Sequence, residues 1–236
     1  MIPYKDENPT HHLPVVTYVI LGLNMLAWAL FQGLGSEPQL SESICRYGLI
    51  PGALVPGAPG DLGLGHCGVS DQDWSVAITS MFMHAGWWHL VGNMWFLWLF
   101  ADNIEDVLRP VKFVVFYLIG GIVAIIAQVF SEPYSMTPMV GASGAIGGIM
   151  GAYAWLYPTV RVRLAVILGL FVFQRTIPAW VMLSIWFGLQ FISVAMSLLS
   201  ESESGIAFWA HIGGFLAGFF LIQLITRKPP SPWELP

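Results

Sequence analysis

Long stretches without Asp, Glu, Lys or Arg alternate with short charged connections, and that pattern predicts helices that cross a membrane. About 20 apolar residues are needed to cover the hydrocarbon core. Six stretches qualify as spans: Leu13–Phe31, Trp87–Ala101 with an uncharged lead-in from Ser75, Phe113–Phe130, the short glycine-rich Ala142–Tyr157, Pro178–Leu199 and Ile206–Thr226. A seventh apolar run, Leu164–Gln174, lies between Arg163 and Arg175 and is too short to cross, so it reads as an interfacial connection. The expected fold is an all-α, polytopic bundle of six transmembrane helices.

Composition agrees. The 236 residues are 56% hydrophobic and 10% charged, with a mean hydropathy of +0.69. A soluble domain carries roughly 25% charged residues. The net charge of −5 forms no basic cluster, so nothing points to nucleic acid. Ala27-Trp28-Ala29 faintly mimics a signal-peptidase site, but a lead with one lysine against Asp6 and Glu7 and a long apolar run favour a retained first helix.

Lysine and arginine set the orientation. With the N-terminus inside, six spans return the C-terminus inside. Lys5, Arg109, Lys112, Arg161, Arg163, Arg175, Arg227 and Lys228 then face the cytoplasm, and only Arg46 lies outside. The expected organisation is a cytoplasmic tail over residues 1–12, a membrane domain over 13–226 with an outer loop at about 32–74, and a cytoplasmic tail over 227–236. Cys45 and Cys67 share that outer loop, where a disulfide and two free thiols are both open. The outer connection Ser200-Glu201-Ser202-Glu203-Ser204 is acidic.

Ionisable groups are costly in lipid and usually functional. No span carries a charged residue in its interior, which leaves His84, His89 and His211 as the titratable groups. Asn24 and Gln190 are the main other amides in the spans. His84 reads as a structural residue. Trp87, Trp88, Trp95 and Trp98 read as an interface belt.

In this topology the second, fourth and sixth spans all run inward. His89, Asn93, Ser143 and His211 fall in their first turns, at one depth below the outer surface. His89 and Asn93 share a helical face. Ser143, Gly147 and Gly151 form a small-residue face on the fourth span, and His211, Gly214 and Gly218 line one on the sixth. Such faces let backbones approach closely in lipid, which would bring Ser143 to His211. An imidazole beside a serine hydroxyl is the arrangement that nucleophilic catalysis requires.

Asp102, Glu105 and Asp106 follow the second span on the opposite side, so a Ser–His dyad is expected rather than a triad. Burial favours the neutral imidazole that a base must be. The Ser143 backbone N–H, the Asn93 amide and the His89 ring could serve as an oxyanion hole. Gly141-Ala142-Ser143-Gly144-Ala145 is not a nucleophile elbow of soluble hydrolases, because it lacks the final glycine and the strand–turn–helix setting. No spacing suggests a metal site.

Three motifs in this order resemble the rhomboid family of intramembrane serine proteases. They are Phe82-Met83-His84-Ala85-Gly86-Trp87-Trp88-His89-Leu90-Val91-Gly92-Asn93-Met94, then Gly141-Ala142-Ser143-Gly144, then Ala210-His211-Ile212-Gly213-Gly214. The resemblance covers about Trp74 to Leu221. It implies Ser143 as nucleophile, His211 as general base, and His89 with Asn93 at the oxyanion hole. It implies a water-filled cavity open to the outer face, single-pass membrane proteins as substrates within the bilayer, no metal and no cofactor. A bacterial inner (plasma) membrane is the expected location.

Two positions depart from the family pattern. Gly147 stands where many members place an aromatic that stacks on the catalytic histidine, so another ring must serve, with Tyr153 and the tryptophans as candidates. Trp74 is followed by Ser75 rather than arginine. Two other functions stand beside the protease: a rhomboid-like pseudoenzyme that binds membrane proteins, and a transporter. The first would typically lack the serine or the histidine, and the second would more often show charged residues and repeat symmetry in the spans.

Overall fold

A computed structural model describes residues 2–55, 67–68, 71–169, 171–200 and 207–226. The acidic connection at 201–204, Arg227, Lys228 and the C-terminal tail lie outside the described residues, as does part of the outer loop.

The chain is mostly helical. Strand β1 (Ile2–Asp6) precedes α1 (Val15–Leu30). Three short helices follow: α2 (Gln39–Tyr47), α3 (Pro51–Leu54) and α4 (Val76–Thr79). The long α5 (Trp87–Ser131) and the short α6 (Ser143–Leu156) lead into a hairpin of β2 (Arg161–Leu168) and β3 (Phe171–Pro178). The described chain ends with α7 (Ala179–Ser200) and α8 (Phe208–Ile225). Among the described residues, Trp87–Ser131, Ala179–Met196 and Phe208–Ile225 are long and apolar enough to cross a membrane, and α1 is a shorter apolar helix.

A straight helix of the length of α5 would measure about 68 Å, more than twice the hydrocarbon thickness. It does not run straight. Arg109 leaves helical geometry (φ 66°, ψ 158°) just before Pro110, whose ring removes a backbone donor. Both ends of α5 then reach one end of α6. His89 and Asn93 of the first limb lie under Gly141, while in the second limb Ala124 sits beside Gly144 and Gln128 accepts a 3.3 Å hydrogen bond from the Ala210 N–H. The second and third apolar stretches are thus two limbs of one folded-back element.

Helix α6 is buried from Gly144 through Tyr153. Its glycine face receives α8 backbone to backbone. A Cβ added at Gly214 would land on the Gly144 carbonyl oxygen, one at Gly218 on that of Gly148, and one at Gly151 on that of Phe215. The two small-residue faces therefore meet.

The expectation of an all-helical chain is corrected by a small sheet. β1, β2 and β3 form an antiparallel sheet in that order, with Ile2 opposite Ala165, Asp6 opposite Val162, and Arg163 opposite Thr176. The segment read as an interfacial connection is its hairpin. Arg161-Val162-Arg163-Leu164 alternates with the two-residue period of a strand, Val162 and Leu164 being buried and both arginines exposed. Gly169 turns the hairpin at φ +60°. Residues 2–6 form strand β1, and they are fastened to the bundle. The Trp95 ring donates to the Pro3 carbonyl (2.5 Å), the Tyr153 hydroxyl donates to Asp6 (2.5 Å), and Arg163 pairs with Glu7 at 2.8 Å.

A carboxylate of α5 also caps α1. Glu105, almost fully buried, accepts from the Val16 N–H (2.9 Å), the Thr17 N–H (2.8 Å) and the Thr17 hydroxyl (2.8 Å). A negative group there satisfies orphan donors and favours the α1 dipole. Cys45 and Cys67 form a disulfide, which resolves the two alternatives left open by the sequence.

Two outcomes test this packing. Gly218→Ala should lower the melting temperature in detergent, because overpacking typically costs about 1–3 kcal/mol. Gly188→Ala, whose Cβ would meet nothing within 4 Å, should leave it unchanged. The second concerns Asp6. Burial lifts its carboxyl from 3.8 to about 6, against the lowering effect of the Tyr153 hydrogen bond. The folded state thus holds a proton that the unfolded chain has already released, so the contribution to stability is full below about 3.8 and lost as pH rises through about 6. Opening free energies from amide exchange in β1 and β2 should fall between those values, and Asp6→Asn should flatten the dependence.

Candidate active site

Four elements deliver polar side chains to one place. α6 begins at Ser143, following Gly141, which turns the chain at φ +121° while its N–H donates to the Ser80 carbonyl at 2.9 Å. A Cβ at Gly141 would lie 2.8 Å from His89 Nε2 and 3.4 Å from Asn93 Nδ2. Glycine is therefore needed twice here, for its backbone angle and for the room it leaves.

His211 lies in the first turn of α8. Its Nε2 is 2.8 Å from Ser143 Oγ. Its Nδ1 is 2.8 Å from Oε1 of Gln190, a buried residue of α7. The orientation of that amide follows from its other end: Nε2 of Gln190 donates to the Trp186 carbonyl (3.0 Å), which can only accept, so the oxygen must face the imidazole. Nδ1 of His211 then carries the hydrogen, and Nε2 is free to accept from the serine hydroxyl.

The same reasoning fixes His89. Its Nδ1 accepts from the Ala85 N–H at 3.3 Å, so the neutral ring carries its hydrogen on Nε2, the atom that faces Gly141. Asn93 Nδ2 is buried and has no hydrogen-bond partner among the described residues. Unsatisfied buried donors are rare and call for an explanation.

These groups line a cavity of about 580 Å³ that contains Ser143, His211, His89, Asn93 and Trp186, with Phe96 and Met150 among its apolar lining. His84 lies outside that lining. It is fully buried, its ring edge-on to His89, and its backbone is held by a reciprocal pair of hydrogen bonds with Gln32 (2.7 and 2.8 Å).

The ring beside His211 is Trp186, with centroids 5.9 Å apart, and Phe208 meets the imidazole edge-on at 6.3 Å. Tyr153 is elsewhere, packed on Phe100 and Tyr157 with its hydroxyl on Asp6. At Gly147 a Cβ would already lie 3.2 Å from the His211 carbonyl oxygen. The helices close over that position, and the ring comes from α7 instead. The sequence marks Gln190 only as an amide in an apolar span. The signal available was that such an amide needs a partner in lipid. Among the described residues no cluster of His, Cys, Asp and Glu could hold a metal.

Residues 71–228 match the family model for the rhomboid domain. A Bacillus subtilis (strain 168) protein with a provisional rhomboid-protease name, YdcA, is 30% identical over 216 residues, covering 91% of this chain and 90% of its own. Rhomboid protease GluP of the same organism is 28% identical over 207 residues, 88% of this chain but 34% of GluP. The mitochondrial RHOMBOID-like protein 6 of Arabidopsis thaliana is 32% identical over 164 residues, 70% of this chain and 47% of that protein. On the extent of these matches, this integral membrane protein belongs to the rhomboid family.

Proposed function

We propose that the chain is an intramembrane serine endopeptidase that cuts single-pass transmembrane substrates with a Ser143–His211 dyad. The observation that carries this reading is the 2.8 Å contact between Ser143 Oγ and His211 Nε2, inside a cavity that also presents unused donors. Rhomboid membership supports a protease that acts on transmembrane substrates.

In the proposed reaction, Ser143 Oγ attacks the scissile carbonyl carbon while His211 Nε2 takes the hydroxyl proton. The oxyanion accepts hydrogen bonds from Asn93 Nδ2, His89 Nε2–H and the Ser143 N–H, at the positive end of α6. The imidazolium then protonates the leaving amine as the C–N bond breaks. Water, deprotonated by the same ring, attacks the acyl-enzyme and restores Ser143. Gly147, Gly151, Gly214 and Gly218 act by keeping the serine and the imidazole within reach.

The two limbs of α5 together with α1, α6, α7 and α8 make six spans, with the N- and C-termini in the cytoplasm, residues 13–226 as the membrane domain, and the site open to the outer face. A plasma membrane, the inner one in a bacterium, suits that arrangement. The Cys45–Cys67 disulfide in the outer loop fits an oxidising outer compartment. A pseudoenzyme would have no use for an aligned serine, base and donor set.

Two outcomes are expected of purified protein in vesicles. A fluorophosphonate should label Ser143 and a model transmembrane substrate should be cut, while Ser143→Ala does neither and His211→Ala labels far more slowly. Undiminished cleavage by Ser143→Ala would remove it as nucleophile. His89→Ala and Asn93→Ala should each slow turnover by about 10²–10³-fold if they donate to the oxyanion. Wild-type turnover in both would assign the oxyanion to other groups.

A further inference from the structure

We infer that Gln190 is the positioning residue of the catalytic histidine, a neutral third member that α7 contributes to the dyad. The inference rests on the Ser143–His211 reading above and extends it.

A base needs its accepting nitrogen unprotonated and aimed at the serine. A neutral imidazole has two tautomers, and in one of them Nε2 carries the hydrogen and cannot accept from Ser143. Something must hold the hydrogen on Nδ1. Gln190 Oε1, 2.8 Å away, does so as an acceptor. The side chain cannot flip to present a donor without losing its own bond to the Trp186 carbonyl and turning its oxygen toward that carbonyl, acceptor against acceptor. Burial of Gln190 removes water as a substitute partner. Trp186, one turn earlier on the same helix, places its ring beside the imidazole, so α7 sets both the tautomer and the ring plane.

An amide also differs from a carboxylate in what it withholds. It orients the ring without adding a charge, so the imidazolium formed during attack is not paired with an anion. Among the described residues that line the cavity, the ionisable groups are His89 from α5 and His211 itself, with only uncharged partners from α6 and α7.

The test uses the full-length protein in detergent and in vesicles, with Gln190→Leu and Gln190→Glu. Leucine keeps much of the volume and removes the acceptor. It should reduce kcat and the rate of fluorophosphonate labelling of Ser143 by about 10–100-fold, while KM stays within about twofold. Glutamate restores an acceptor and adds a charge. It should recover most of kcat, and the acidic limb of its pH–rate profile should move to higher pH, because the carboxylate stabilises the protonated ring. Spectra of [¹⁵N]histidine-labelled protein give a readout independent of activity: His211 should show a protonated Nδ1 in the wild type and a mixture of tautomers in Gln190→Leu.

A wild-type labelling rate and an unchanged His211 tautomer in Gln190→Leu would overturn the inference. So would equal losses in both variants with an unmoved pH profile, the pattern of a residue that only packs. If instead the wild-type protein labels no serine, the protease reading fails, and the tautomer measurement still decides what Gln190 does.

Discussion

The close approach of α6 and α8 is the constraint on which the rest depends. Between Ser143 and Gly151 the two helices touch through backbone atoms, and a single added methyl group at Gly214 or Gly218 would collide with a carbonyl oxygen. The distance between the serine and the imidazole follows from what these helices lack. Lipid offers no hydrophobic force to press helices together, so close van der Waals contact must hold them. That explains why α6 is short, rich in glycine and buried on every side. It also explains Gly147, since α8 occupies the room that a ring at this position would need.

Polar groups are sorted by chemistry along the bundle. One end holds Ser143, His89, Asn93, Gln190 and His211, none of which carries a permanent charge. At the opposite end, the carboxylates of Asp6, Glu105 and Asp106 each accept from a hydroxyl or a backbone amide. Tyr153 donates to Asp6, Thr17 to Glu105, and the N–H of His11 to Asp106. An anion beside His211 would have to be desolvated without a cation to offset the cost. The partner of its Nδ1 is instead the neutral amide of Gln190, which avoids that cost.

The site was largely legible in the sequence, because its residues fall in the first turns of helices that run in one direction. Depth then follows from counting, and Ser143, His211, His89 and Asn93 need no long-range information. The small-residue faces were legible for the same reason. What the sequence hid depends on pairings across the chain. Gln190 and Trp186 reach His211 from a helix that runs the other way, where no shared periodicity marks the register. The hairpin was hidden differently. Its apolar run from Leu164 to Gln174 masks the alternation that Arg161 and Arg163 begin, and β1 has no partner until β2 exists. Tyr153 shares the helix of Ser143, but it lies about two turns beyond Gly147, at the Asp6 end.

The sheet also imposes an order in time. Ile2 pairs with Ala165, so β1 leaves the ribosome about 160 residues before its partner does. Throughout that interval α1 and both limbs of α5 can enter the membrane, while the backbone of β1 stays unpaired. Its carbonyls and N–H groups keep it in a hydrated environment until the hairpin arrives. The backbone pairing of β1 therefore cannot form until β2 has been made, and this end of the bundle stays open to rearrangement until α6 has been synthesised and β2 has followed it.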